Sequence, residues 1–174
     1  MEIMIIVLLL VSLWGIWTLS VRRRLEAQEI NIQNALNQIR VQILAEQEAL
    51  AALTDLLEKA ADIEDCREIK RRLELLQKDS REEQRPEKVT KQLEELLQLR
   101  ENITMLSEQM PLLQSGEIYQ KYWKAANSYE HMVRTSSLIY NDSVENFNRM
   151  LCKMPDRLAA GICGFRRKKC LEIL

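Results

Sequence analysis

Nineteen consecutive residues, Ile3 to Val21, carry no charge, and Arg22-Arg23-Arg24 follow at once. A helix rises about 1.5 Å per residue, so the run measures about 30 Å, the thickness of a bilayer's hydrocarbon core. Residues 1–21 are therefore expected to form one uncleaved transmembrane anchor. The competing readings are a cleaved signal peptide and a buried helix of a soluble protein. A signal peptide opens on a basic segment and ends at small residues before its cleavage site. Here only Met1 and Glu2 precede the run, and Trp14 and Trp17 stand before the arginines like an interfacial belt. Lys and Arg stay on the cytoplasmic side of a membrane. The N-terminus is thus expected outside and residues 22–174 in the cytoplasm.

About 150 residues remain, enough for one domain. They hold three glycines (Gly116, Gly161, Gly164) and three prolines (Pro86, Pro111, Pro155). Leu, Glu, Gln, Ala, Lys and Arg dominate, all strong helix formers, and no strand-like alternation occurs. The expected fold class is all-α: the anchor, then an antiparallel four-helix-bundle-like domain over 22–174. The formal net charge of −1 argues against a nucleic-acid partner. Cys66, Cys152, Cys163 and Cys170 form no C-x-x-C and no zinc spacing with the single His131, so reduced thiols are expected and no metal.

Between Arg22 and Arg81 there is neither Pro nor Gly. Ile32, Leu36, Ile39, Ile43, Leu50, Leu53, Leu57 and Ala60 recur in steps of three and four, with one step of seven across Glu46. This heptad stripe predicts a long helix, about 22–82. It either runs unbroken or breaks near Ala61–Ile63, where Asp62, Glu64 and Asp65 resemble a helix start. Pro86 suits the first position of a second helix, about 86–111, with Val89, Leu93, Leu96, Leu97, Ile103, Leu106 and Met110 on one side. A third helix, about 116–152, is expected to be capped by Ser115. Its seam reads Tyr119, Trp123, Ala126, Glu130, Val133, Ser137, Tyr140, Val144, Phe147, Leu151, a pattern of core packing rather than of a cofactor site. A short helix over 156–162, the turn Gly161 to Phe165, the basic run Arg166–Lys169 and an apolar tail close the chain.

Tyr140-Asn141-x-x-Val144-x-x-Phe147-Asn148, then Met154-Pro155, then Ala160-Gly161-Ile162-Cys163-Gly164-Phe165 resemble the signature of the LemA family. That signature reads approximately Y-N-x-x-V-x-x-Y-N, F-P and A-G-x-F-G-F. Gln38 to Ile43 is similar to the family's Q-I-D-V-Q-L, and Met110-Pro111-x-Leu to its Y-P-x-L. The family's following K-R-R is Leu44-Ala45-Glu46 here, and the proline of its D-L-I-P-N-L is missing. The resemblance implies a divergent member: a single-pass bacterial membrane protein with a four-helix-bundle domain and no established enzymatic activity.

The chemistry-bearing residues point the same way. Asn141 and Asn148 are seven apart, a spacing at which buried amides pair and fix helix register. His131 has no metal-ligating partner at i+4, and no E-x-x-H of a di-iron bundle occurs. No nucleophile-bearing turn is present, and Gly161–Gly164 is too short for a phosphate loop. No catalytic or cofactor site and no small-molecule substrate is expected. Residues 149–174 carry seven basic side chains against Asp156 and Glu172. Arg166, Arg167, Lys168 and Lys169 are either a solvated tail or a contact for anionic lipid, with Phe165 and Leu171 to Leu174 inserting beside them. Two functions compete: a non-enzymatic scaffold that binds partner helices or further copies of itself through an unfilled part of the long stripe, and a membrane-remodelling or lipid-contacting protein.

Overall fold

The computed structural model describes residues 2–60, 64–80, 85–154 and 156–172, and among these it is all-α. The helices are α1 (Glu2–Ala60), α2 (Glu64–Ser80), α3 (Pro86–Glu108), α4 (Pro111–Gln114), α5 (Glu117–Cys152) and α6 (Asp156–Ile162). Two helices, α1 and α2, occupy the stretch 22–82, which agrees with the alternative of a break near residues 61–63. α1 ends at Ala60, and α2 begins with Glu64 and Asp65 in its first turn, where carboxylates favour the positive end of a helix. Residues 61–63, including Asp62, lie outside the described set.

The chain divides into two compact units. The first comprises Met1–Asn34 and Tyr140–Cys170, the second Ala35–Ile139 and Leu171–Leu174. In the first unit every residue from Ile3 to Ile16 is exposed on α1. The helix that carries it includes an 18-residue stretch long and apolar enough to cross a membrane. Burial starts at Val21 and Leu25, immediately beyond it, and continues to Ile32. From α5 the unit buries Tyr140, Val144 and Phe147, and from α6 Ala159 and Ala160. These are the seam positions that spacing predicts, because steps of three and four keep side chains on one helix face.

In the second unit, residues 35–60 of α1 bury Ile39, Ile43, Leu50, Leu53 and Leu57 almost completely. α2 is their neighbour. Lys70 reaches Asp55 at 2.6 Å, while Gln47, nearer the start of α1, meets Ser80 at the end of α2 at 3.3 Å. The pairing is antiparallel. From α2 to α3 the same holds, with Arg72 to Glu95 at 3.4 Å and Asp79 near the start of α3, bonded to Gln92 at 3.1 Å. From Ile39 to Leu57 the stripe on α1 is thus buried within the chain; an unfilled half was expected only of an unbroken first helix. α2, which starts at Glu64, runs back along α1.

α3 starts as expected, with Pro86 at its first turn and Arg85 at the N-cap. Its buried face is Val89, Gln92, Leu96, Leu99, Ile103 and Leu106; Leu97 is 42% exposed. Gln92 and Leu99 replace Leu93 and Leu97 in the predicted face, a rotation of about one residue. Ser115 does not cap α5. Its hydroxyl donates to the Leu112 carbonyl at 3.0 Å, and the Gly116 carbonyl accepts the first i+4 bond, from Gln120.

Val144 and Phe147 have no exposed surface. Val144→Asp or Phe147→Asp places a carboxylate there without a partner, a cost of several kcal/mol against a total stability of about 5–15 kcal/mol. Both variants are expected to lose the cooperative melting transition of the detergent-solubilised chain, followed by circular dichroism. A wild-type melting curve would show that this face of α5 is not buried.

Candidate functional site

Two constellations of polar side chains stand out, one in each unit. In the first unit, α6 ends in a left-handed turn. Gly164 has φ +77°, its N–H donates to the Gly161 carbonyl at 3.3 Å, and the Phe165 N–H donates to the Ala160 carbonyl at 3.2 Å. This pair of bonds is a Schellman cap, and its left-handed position favours glycine. The turn sends Phe165 against Phe147, ring centroids 6.2 Å apart and edge to face. The extended segment that follows is clasped by α5. Asn148 Oδ1 accepts from the Lys168 N–H at 2.9 Å, Asn148 Nδ2 donates to the Lys168 carbonyl at 2.9 Å, and Tyr140 Oη donates to the Lys169 carbonyl at 3.1 Å. The Lys168 ammonium also pairs with Glu29 on α1.

The motif residues of the C-terminal half therefore act together. Tyr140, Val144, Phe147, Asn148, Gly164 and Phe165 bury the first unit's core or hold the chain end against it. The register-fixing role expected of the two amides is not how Asn148 acts: it spends both amide groups on the backbone of Lys168, while Asn141 is half-buried on the same helix. Gly161 has a negative φ and open space where a Cβ would stand, so neither conformation nor packing demands glycine there. Pro155 lies outside the described residues. Of the basic run, Arg166, Arg167 and Lys169 are exposed, whereas Lys168 is partly buried on Glu29. Leu171 is buried at 3% exposure, so it has no apolar surface to insert into lipid. Arg22, Arg23 and Arg24 are exposed at the start of the unit's packed region.

In the second unit, Arg100 of α3 lies at the centre of a charged cluster. It donates to Glu46 of α1 at 2.9 Å, pairs with Glu130 of α5 at 3.2 Å, bonds Asn127, and stacks 5.1 Å from the ring centroid of Trp123. Trp123 in turn stacks on Tyr119. Glu46 is 3% exposed. Burial pushes its carboxyl up to about 7; Arg100 opposes that rise and Glu130 adds to it. A cavity of about 70 Å³ adjoins the cluster, lined by Glu46, Leu96, Arg100, Glu130, Arg134 and Ser137 among others. The Ser137 hydroxyl is buried there without a hydrogen-bond partner in the chain. The space suits a few water molecules, each needing two to four polar partners.

Sequence reasoning missed Arg100 but had its two carboxylates in view. Glu46 interrupts the α1 stripe, and Glu130 sits in the α5 seam. A charge at a core position calls for a buried opposite charge, and that is the signal that points to a cation on α3. His131 is exposed. Among the described residues no group of three or more His, Cys, Asp and Glu could hold a metal ion, and no disulfide joins the cysteines.

Two predictions follow from this geometry. Gly164→Ala forces a side chain into the left-handed region, a strain of about 1–2 kcal/mol, whereas Gly161→Ala gains up to about 1 kcal/mol of helix propensity. Melting temperatures should fall for the first and hold or rise for the second; equal behaviour would contradict the cap. The folded chain also binds the Glu46 proton more tightly than the unfolded chain, whose carboxyl titrates near its ordinary 4.5. This group's contribution is therefore full below about 4.5, declines as pH rises to about 7, and is constant above. Glu46→Gln should remove that decline from the pH dependence of chemical denaturation, and an unchanged slope in the variant would contradict it.

The family model described as LemA family matches residues 19–173. Comparison with curated proteins finds no match. The matched range takes in both the clasp and the Arg100 cluster and begins at the end of the exposed apolar run, and on that coverage the chain belongs to the LemA family.

Proposed function

We infer that this LemA-family chain is a single-pass protein of a bacterial inner membrane. Residues 3–21 are its anchor, and the helical region beyond it is a non-enzymatic scaffold in the cytoplasm that binds helices of other proteins or further copies of itself. One observation carries the membrane part. Ile3 to Ile16 are exposed on every side of α1, and an apolar helix exposed all round needs an apolar surrounding. Water does not supply one. The scaffold part is supported by the polar clusters, which join neighbouring helices and fix their packing rather than converging on an open cleft. Large apolar side chains also stand exposed on the second unit, among them Leu75, Met105, Leu112 and Ile118, as contact points for a partner. A second reading, lipid contact beside the anchor, is favoured by the arginines that follow it and by the exposed Arg166, Arg167 and Lys169.

The orientation has a direct test. Cys152 and Cys170 are exposed and Cys66 is buried, so the native chain carries reactive thiols only on its surface. A membrane-impermeant maleimide should leave intact cells unlabelled and label the chain after permeabilisation. Labelling before permeabilisation places the helical region outside and overturns the orientation. Recovery of the chain in the soluble fraction overturns the anchor.

A further inference from the structure

Three large apolar side chains stand in solvent around α6. Met154, in the turn before it, is 67% exposed, Leu158 54% and Ile162 65%. Leu158 and Ile162 are one helical turn apart and share a side, completed by the exposed Arg157 and Gly161. Ala159 and Ala160, on the other side, are buried. Isolated exposed apolar residues are ordinary on protein surfaces. The place where this face is held is not.

Asp156, the first residue of α6, lies 3.9 Å from Arg24 of α1. Arg24 is only about 3 Å of helical rise beyond Arg22, the first charge after the apolar run. Val21 and Leu25 are the first buried residues of α1, so the unit's packing begins where the exposed run ends, and α6 is tied to that end. The chain then climbs away from it. Lys168 pairs with Glu29, about 10 Å of helical rise beyond Arg22, which exceeds the screening length of about 8 Å in physiological salt. The basic run is thus committed in part to α1, while Arg22, Arg23, Arg24 and Arg157 remain exposed at the level of α6.

We propose that α6 is an interfacial helix. Its Met154, Leu158 and Ile162 enter the boundary between head groups and acyl chains beside the anchor, with the neighbouring arginines on anionic head groups. The occupant of this face is the bilayer surface, and the proposal rests on the reading of residues 3–21 as a membrane span. An apolar face flanked by arginines and held within the first turn past a span is positioned to meet lipid.

The full-length chain tests this with its cysteines replaced (Cys66→Ala, Cys152→Ser, Cys163→Ser, Cys170→Ser) and its helicity checked by circular dichroism. Single cysteines at Leu13→Cys, Leu158→Cys and Ile139→Cys carry an environment-sensitive fluorophore in phosphatidylcholine–phosphatidylglycerol vesicles. The Leu13 label should be quenched by deep nitroxide lipids, the Leu158 label blue-shifted and quenched by shallow ones, and the Ile139 label quenched by neither. Adding Met154→Ser and Ile162→Ser, or omitting phosphatidylglycerol, should return the Leu158 label toward water. A Leu158 label as wet as Ile139, with Leu13 still quenched, overturns the interfacial helix and leaves the anchor intact. A Leu158 label that is blue-shifted, unquenched by lipid and crosslinked to a second copy assigns the face to protein and overturns it as well. Loss of quenching at Leu13 overturns both readings.

Discussion

α1 carries two side-chain patterns along one uninterrupted helix. Its first third is apolar on every side and exposed; from Val21 onward its apolar residues narrow to a stripe that is buried. Nothing in helix geometry marks the change, since the backbone satisfies its own hydrogen bonds in lipid and in a protein core alike. The change lies entirely in side-chain pattern, and the rest of the chain is organised by it. α2 folds back to cover the stripe after residue 35, and α5, α6 and the extended segment gather at the stripe before it.

The C-terminal segment shows how an element without regular structure is kept in place. After Gly164 the chain has no helix to satisfy its backbone groups, and buried backbone groups left unpaired would be costly. Asn148 supplies both a donor and an acceptor to the same residue, Lys168, and Tyr140 takes the next carbonyl. These three bonds explain the amide and phenol side chains at the end of α5 that also buries Val144 and Phe147. In the second unit the equivalent device is ionic. Arg100 links three helical segments, and a buried pair of this kind recovers only part of what desolvation costs. The raised Glu46 carboxyl is the trace of that cost.

Much of this was legible in the sequence. The all-α class, the seam on α5, the start of α3 at Pro86 and the family itself follow from periodicity, Pro and Gly placement and a run of motif residues. What was not legible depends on contacts between distant segments. The stripe on α1 has the same spacing whether α2 or a second chain covers it, so period alone left its partner open. Asn148 has the spacing of a register-fixing amide, yet its partners are backbone groups twenty residues away that no pattern announces. Arg100 looks like any solvated arginine on α3; only the two carboxylates at core positions hint that it is buried. The face of α3 was rotated because Leu93, Leu96 and Leu97 are all apolar, and Gln92 took a core position by bonding Asp79.

The central claim is that α1 passes from lipid into a protein core at Val21. A spin-label scan of single cysteines from Leu8 to Ile32, in the full-length chain reconstituted into vesicles, measures it most directly through accessibility to oxygen and to a water-soluble nickel chelate. The account predicts high oxygen and low nickel accessibility, without helical periodicity, up to about Leu19. From Val21 onward it predicts alternating protection, with minima for both reagents at Val21, Leu25 and Ile32. A helical period of protection extending back through Leu8 to Ile16 would show that this segment packs against protein and would contradict the account.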